Sequence, residues 1–383
     1  MSVSGPLVIP APDALPLPAP AWLLSPLLVL LFAVHAAAMS VALGGAFWAA
    51  WFGRHPGHPR RRELAGLVGR TLPHWTAAAI TSGVAALLFL QVLYGPVFFA
   101  AAVVAAVPWL AVPPLLLLGY AGAWVRALRH QDSPLVAQWA GVGSWVALAA
   151  VAFLFVHQAT LLLHPENHYA LYQLRPSGVH LDLSDPALWP RFLHMVVGAT
   201  AVAALWVAGL GVRAIGRGEE EAGRFAVAAG ARGFAWSTLV QMVVGAWFLL
   251  ALPPTVRSRF TGDGPSATGL LAAAVVLALL AMRLAWRAAR SRRPGREVWA
   301  AATCLAVVLL LMALARDVVR RALLGQAVDP AALPAAPQWG MVALFALALA
   351  AGAAAIGWMA SRLARATAPP APGAPRRGAP GRG

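Results

Sequence analysis

Long apolar segments recur along the chain, and they constrain its fold more than any other feature of the sequence. A helix needs about 20 apolar residues to cross the roughly 30 Å hydrocarbon core of a bilayer. Segments of this length lie at 24–52, 72–94, 107–128, 135–163, 190–213, 233–252, 267–288, 298–323 and 338–361. They predict an all-α, polytopic integral membrane bundle of about nine transmembrane helices. A content of 60% hydrophobic and 11% charged residues is outside the range of soluble domains.

The connectors between these segments predict the orientation of the chain. The sequence contains no lysine, and 22 of its 29 arginines lie in alternate connectors and in the C-terminal tail. Because cytoplasmic loops are rich in positive charge, the N-terminus is expected outside and the C-terminus in the cytoplasm. An odd number of helices agrees with this arrangement. The chain is therefore expected to be a multi-pass protein of a bacterial cytoplasmic membrane.

Composition divides the chain into three regions. Residues 1–20 are rich in proline and alanine and predict a short disordered lead, and 21–365 form the transmembrane domain. Residues 366–383 contain mostly Pro, Ala, Gly and Arg, which cannot bury apolar surface and predict a disordered tail. The formal charge of +16 does not indicate nucleic-acid binding, because the arginines lie in short connectors without interleaved aromatic residues.

Two outer stretches do not fit a simple pattern of spans and turns. Residues 95–106 are apolar but too short to cross the membrane, so they are expected to lie along the outer interface. The longest outer connector, 164–189, carries several carboxylates and histidines. It is the outer stretch expected to form a lid or a docking surface.

Three histidines fall inside predicted membrane helices, where an ionisable side chain is costly and therefore a candidate for function. They are His35, His157 and His194, all in the outer half of the membrane. Imidazoles at similar depth without a carboxylate suit axial ligation of haem iron better than a proton relay. The alternative is a hydrogen bond from each ring to a neighbouring backbone carbonyl or serine. That alternative is favoured for His157.

The segment Trp189–Gly198 is the strongest single candidate for a cofactor site. His194 lies four residues before Gly198, so both share one helix face and the glycine leaves room for a flat macrocycle. Gly44 and Gly45 follow His35 on the first helix and suggest similar clearance.

Further polar side chains could complete such a site. Gln91 and Gln241 are candidates to bond a cofactor or a quinone headgroup, although hydrogen bonding between helices is the commoner role of such residues. Arg316 and Arg320 lie at the outer end of the eighth helix, against the usual distribution of charge. An anion such as a haem propionate would explain them, as would a lipid phosphate.

Three short motifs resemble subunit I of the cytochrome bd quinol oxidases, and especially the divergent bd-like membrane subunits found beside multihaem cytochromes. Residues 34–44 resemble the family's first-helix histidine segment, which implies that His35 is a ligand of a high-spin haem. Residues 83–95 resemble its glycine-to-glutamine segment. Residues 191–194 resemble its fifth-helix motif, which implies that His194 is a ligand of the low-spin haem b. The resemblance also implies nine helices with the N-terminus outside.

The sequence departs from that family in three ways. The long outer quinol-binding loop between helices six and seven is reduced to 253–266, and Met282, at the inner end of helix seven, cannot replace the family's outer methionine ligand. The carboxylates that supply protons for oxygen reduction are absent from the helix interiors. The resemblance therefore implies haem b and electron transfer more than oxygen reduction.

These observations predict a membrane haem b subunit that passes electrons between the quinone pool and a redox partner at the outer face. The partner is expected to be a periplasmic cytochrome c, an iron–sulfur protein or another subunit of the complex. His194, with His157 as the candidate opposite it, would hold one haem, and His35 a second. The same interpretation is compatible with an oxidoreductase activity that uses quinol. The alternatives are a copper or haem transport or assembly factor, and a structural subunit of a respiratory complex.

Overall fold

The structure is a computed structural model that describes residues 16–366, except Pro56 and Gln326. Its long helices, labelled α1 to α9, are Ala21–Gly53, Pro59–Val104, Val112–Arg129, Pro134–Leu163, Leu188–Gly216, Glu220–Ala251, Pro265–Ala288, Gly295–Leu324 and Trp339–Ala366. Among the described residues, α1 to α8 are long and apolar enough to cross a membrane, with α3 counted from Ala106. In α9 the apolar stretch is Trp339–Gly352. The expected polytopic helical membrane bundle is confirmed.

Small residues bring the helices close together. The most extensive contacts join α5 to α6 and α1 to α2, and α1 also packs along α5. At Gly230 of α6, a Cβ atom would lie only 2.5 Å from the carbonyl oxygen of Ala204 on α5. Such approaches maximise van der Waals contact, which drives helix association in a membrane because lipid is itself apolar.

Helix α2 is longer than the sequence predicts. The apolar segment 72–94 becomes a helix from Pro59 to Val104, because polar residues can continue a helix beyond the bilayer. The stretch 95–106, predicted as a separate interfacial segment, is helical to Val104 as the bent end of α2. The bend lies at Tyr94, with φ −130° and ψ 26°. Pro96 explains it, because proline has no N–H and its ring clashes with the carbonyl four residues earlier.

Most of the predicted terminal regions lie outside the described residues, namely 1–15 and 367–383. The predicted lead is nevertheless ordered at residues 16–20. Leu17 is 1% exposed, and its N–H donates to the carbonyl oxygen of Pro334 at 2.7 Å. The N–H of Ala336 donates in return to the carbonyl of Leu17 at 3.0 Å. Backbone pairing with the connector before α9 orders this segment, which its composition alone does not reveal.

Arg126 joins the predicted cytoplasmic ends of four helices. The sequence placed it in an inner connector as a source of positive charge, but it is 2% exposed on α3. Its guanidinium donates to the carbonyl oxygen of Ala49 at 2.9 Å, and to those of Ala65 and Ala137 at 3.3 Å. A further bond reaches Oε1 of Gln138 at 3.1 Å. Backbone carbonyl dipoles, including one near the end of α1, therefore compensate this buried charge, which no carboxylate of the described residues bonds.

Candidate functional site

His35 on α1 has one ring nitrogen bonded and one available. Its Nδ1 lies 2.9 Å from the carbonyl oxygen of Ala79 on α2. A ring nitrogen that faces a carbonyl carries the proton, so Nε2 keeps its lone pair, the arrangement usual for histidines that bind metals. Gly83 makes room for the ring, because a Cβ there would lie 2.7 Å from Cε1 of His35. The neutral tautomer of His35 is thus suited to ligate iron through Nε2.

His194 on α5 points towards α6. A Cβ on Gly245 of α6 would lie 3.2 Å from Cε1 of His194, and the ring centroid is 6.0 Å from that of Phe248. Its Nδ1 is buried without a hydrogen-bond partner among the described residues. A buried polar atom without a partner is costly, so this imidazole is a candidate to bind a group that the protein chain does not supply.

The Nε2 atom of His157 is hydrogen-bonded to the protein backbone. His157 is 1% exposed on α4, and its Nε2 accepts a hydrogen bond from the backbone N–H of Asp182 at 2.9 Å. Phe192 packs on Phe153 of α4, with centroids 5.4 Å apart. Since His194 lies two residues after Phe192, it is turned by about 200° from that face. The structure therefore does not bring His157 opposite His194.

The glycines predicted to leave room for a macrocycle are filled by other parts of the chain. A Cβ on Gly198 would lie 3.1 Å from Nε2 of Gln241. A Cβ on Gly44 would collide with the carbonyl oxygen of Ala199. Both glycines therefore serve close packing between helices, and the clearance predicted from the sequence is not open space.

The two glutamines have different surroundings. Nε2 of Gln241 donates to the carbonyl oxygen of His194 at 2.9 Å, while its Oε1 is buried without a partner among the described residues. Gln241 thus joins α6 to the backbone of α5 next to the candidate ligand. Gln91 is half-buried on α2, and its side chain forms no hydrogen bond within the described part of the chain.

Three arginines, Arg191, Arg316 and Arg320, form an arginine cluster beside these histidines. Arg316 lies over the ring of Phe32, 4.1 Å from its centroid, and its charge acts on His35, Arg191 and Arg320. Arg191 donates from Nη1 to Oγ1 of Thr160 at 2.5 Å and lies 5.4 Å from the centroid of Phe248. Phe248 is the ring that also contacts His194. One positively charged region therefore adjoins both candidate ligands.

The arginine cluster has few anionic partners. Asp317 forms ion pairs with Arg320 and with Arg321, and the negative charge of Asp185 attracts the positive charge of Arg191. Within the described residues, Nε and Nη1 of Arg320 are buried without a hydrogen-bond partner, and Arg316 forms no ion pair. Three guanidinium groups that share so few carboxylates leave positive charge uncompensated in a partly buried region, which makes the cluster a candidate anion site.

Arg191 entered the sequence interpretation as part of the 191–194 motif and was given no role of its own, although a signal for one was available. Like Arg316, it lies at the predicted outer end of a helix, against the usual distribution of charge. That both arginines approach the same region could not be read from the sequence, because they are 125 residues apart along the chain.

A histidine holds the outer connector to the bundle. His164, directly after α4, bonds Glu166 through Nδ1 at 3.0 Å and Asp185 through Nε2 at 3.1 Å. The hydrogen bond to Asp185 is the main cause that raises the pKa of His164 above its ordinary value. Burial tends to raise the pKa of Asp185, but hydrogen bonds from His164 and from the N–H of Ala187 outweigh it and lower that pKa. Burial lowers the pKa of nearby His168, whose Nε2 bonds the carbonyl of Leu161 at 2.8 Å.

These shifts predict how pH affects the outer connector. A raised pKa stabilises the folded form below the ordinary histidine pKa of about 6.5, and this contribution is lost as pH rises through the raised value of His164. The lowered pKa of His168 has the opposite effect. Its contribution to the stability of the folded form is lost as pH falls below about 6.5. We expect the amides of the connector to be most protected from hydrogen exchange near pH 6.5. At alkaline pH their protection should fall about fivefold, because a partly exposed ion pair contributes about 1 kcal/mol.

Hydrogen exchange of the Asp182 and Ala187 amides, corrected for intrinsic exchange rates, measures this effect. The variant His164→Gln should lose the alkaline decrease and keep the acidic one. His58→Gln, at the predicted inner face, should behave as the unmodified chain. An alkaline decrease that persists in His164→Gln would contradict the assignment.

No three-ligand metal site accompanies the cluster. Among residues 16–366 as described, no group of three or more His, Cys, Asp or Glu side chains is placed to hold a metal ion. A haem needs only one or two protein ligands, so the imidazoles of His35 and His194 are still of the residue type that can ligate haem iron.

Comparison with known proteins places this arrangement in a known fold. No protein-family model matches the chain. No curated protein matches it. A solved chain from the bd oxidase of Geobacillus thermodenitrificans is similar, with a TM-score of 0.68 over 92% of this chain and 99% of that chain, at 14% sequence identity. The chain therefore shares the fold of a bd oxidase chain, in agreement with the resemblance carried by its short motifs.

Proposed function

We propose that this chain is a haem b subunit of a respiratory membrane complex that passes electrons between the quinone pool and a redox partner at the outer face. The partner would be a periplasmic cytochrome c or another subunit of the complex. The observation that carries the proposal is the arginine cluster, which has too few carboxylates and adjoins two imidazoles with available nitrogens. A haem offers both groups that this region lacks, a metal for imidazole and carboxylates for guanidinium.

The side chains fit a haem in kind. His35 would ligate through Nε2, with its ring fixed by the carbonyl of Ala79. His194 would be the ligand of a second haem or the second ligand of the same one. Arg316 and Arg320 would bind propionates, and the rings of Phe32 and Phe248 would help to exclude water. When bound, haem supplies one-electron transfer, and its potential depends on ligands, charge and burial.

The residues of this chain would act by binding and orienting rather than by moving protons. Positive charge from the arginine cluster would favour the reduced, more negative state of a nearby redox centre and so raise its potential. Asp317 would keep Arg320 in position through their ion pair. The quinone is the less supported partner, because Gln91 forms no hydrogen bond that prepares it for a headgroup.

A spectrum of the purified protein tests the proposal. We expect the dithionite-reduced minus oxidised spectrum of protein produced with ample haem to show the α-band of haem b. The pyridine haemochrome assay should then give one or two haems per chain. A preparation that is folded but lacks the α-band would overturn the proposal.

A structural subunit that binds no haem is the second candidate. It is favoured by the occupied Nε2 of His157 and by the side chain of Gln241 at Gly198. In that case the arginine cluster would be neutralised by lipid phosphate. Copper transport is less well supported, because the described residues bring no three His, Cys, Asp or Glu side chains together.

A further inference from the structure

The outer connector contains a non-helical segment, 179–183, whose apolar side chains are exposed and whose polar side chains face the protein. Val179, Leu181 and Leu183 are each 47% exposed. His180 and Asp182, which alternate with them, are half-buried, and Nδ1 of His180 is buried without a hydrogen-bond partner among the described residues. Burial that alternates with a period of two is typical of an extended chain. A segment surrounded by water would show the reverse arrangement.

This segment lies below the outer end of α4. Nε2 of His157 accepts a hydrogen bond from the backbone N–H of Asp182 at 2.9 Å. His157 lies six residues before Leu163, the last residue of α4, which corresponds to about 9 Å along the helix axis. The 30 residues of α4 extend about 45 Å, the thickness of a bilayer with its headgroups. Asp182 is therefore expected near the boundary between the headgroups and the hydrocarbon core.

The apolar face of the segment adjoins side chains that the membrane helices expose. The carbonyl oxygen of Gly178, directly before the segment, accepts a hydrogen bond from the N–H of Val107 at 3.0 Å. A Cβ atom on Gly178 would lie 2.9 Å from Cβ of Ala106. Val107 is itself exposed, as is Val103 near the end of α2. Apolar side chains that a membrane helix exposes are covered by lipid, so the apolar face of 179–183 continues a lipid-facing surface.

Aromatic side chains flank the segment. Tyr169 and Tyr172, in the short helix His168–Leu174, are exposed, and so is Trp189 at the start of α5. Tyrosine and tryptophan are enriched where a bilayer meets water, because each ring system is largely apolar and carries one polar group. These neighbours are therefore typical of a segment at the membrane interface.

We propose that 179–183 is an interfacial membrane segment, with the side chains of Val179, Leu181 and Leu183 inserted into the outer lipid leaflet. The partner of this surface is the lipid itself, and not a soluble redox protein that docks on the connector. Because the N–H of Asp182 bonds His157, insertion would hold the connector against α4. The proposal concerns lipid contact alone and does not depend on haem.

Site-directed spin labelling of the full chain in phospholipid nanodiscs tests the proposal. The sequence has one cysteine, Cys304, so Cys304→Ser provides the background for the variant Leu181→Cys. We expect the label at position 181 to collide often with oxygen, which partitions into lipid, and rarely with a water-soluble nickel chelate. Leu117→Cys on α3 is the lipid standard, and Thr261→Cys in the connector after α6 is the water standard, since both side chains are exposed.

The ratio of oxygen to nickel accessibility at Leu181→Cys should be several-fold higher than at Thr261→Cys and should approach that at Leu117→Cys. Leu183→Cys provides the same measurement if Leu181→Cys does not fold. A ratio equal to that of Thr261→Cys would overturn the proposal, because the segment would then face water. Low accessibility to both reagents would contradict it as well, because protein would then cover the segment.

Photocrosslinking in the native membrane distinguishes lipid from a partner protein. A benzophenone-bearing amino acid in place of Leu181 should form adducts with phospholipid, which mass spectrometry of the purified chain detects. A second protein crosslinked at position 181 in place of lipid would refute the proposal, because the connector would then be a docking surface.

Discussion

Replacing His35 with alanine is expected to remove at least one haem from the purified protein. The ring is held with Nδ1 bonded to Ala79 and Nε2 available, and Gly83 provides the space it occupies. Alanine offers no ligand, so a haem that His35 would hold could no longer be bound through this residue. The haem content from the pyridine haemochrome assay, together with the reduced minus oxidised spectrum, measures the loss.

Comparison with the variant His194→Ala distinguishes a single haem site from two haem sites. Loss of the same haem in both variants would mean that His35 and His194 serve one site, and loss of different haems would mean two sites. His74→Ala is the matched control, since His74 lies on α2, contacts Trp124 with centroids 6.4 Å apart, and forms no hydrogen bond with a described residue. Unchanged haem content in both His35→Ala and His194→Ala would refute the assignment of these ligands.

Replacing Gly44 with alanine is expected to destabilise the bundle by about 3 kcal/mol, at the upper end of the usual cost of overpacking. The new Cβ would collide with the carbonyl oxygen of Ala199 and lie 2.8 Å from Cβ of Ala203. Backbone cannot move aside as a flexible side chain can, so α1 and α5 must separate. Thermal unfolding in detergent, followed by circular dichroism, measures the effect.

Gly209→Ala provides the comparison for this substitution. Gly209 lies on α5, and a Cβ there would meet nothing within 4 Å. Since alanine favours a helix by about 1 kcal/mol over glycine, that variant should unfold at the same temperature or higher. Equal unfolding temperatures for Gly44→Ala and the unmodified chain would show that α1 and α5 do not approach as closely as described.

Several features of the site are hidden from the sequence for identifiable reasons. Gly198 and Gly44 suggested free space, but whether a glycine faces a cavity or a neighbouring helix depends on which helices touch. The sequence favoured a hydrogen-bonded role for His157, but not its partner, which is the backbone N–H of Asp182 in the outer connector. Both outcomes depend on contacts between residues distant along the chain, which periodicity within one helix does not encode.

The sequence by itself determined the membrane class, the number of long helices and the residue types available for ligation. These follow from local chemistry, because about 20 apolar residues span a bilayer and intramembrane histidines are rare enough to stand out. Only the tertiary structure decided which imidazole keeps a free nitrogen and which arginines share one region. Arg191 and Arg316 belong to different helices, and His35 depends on a carbonyl of α2. Such neighbours are set by helix packing, and packing depends on the shapes of whole surfaces.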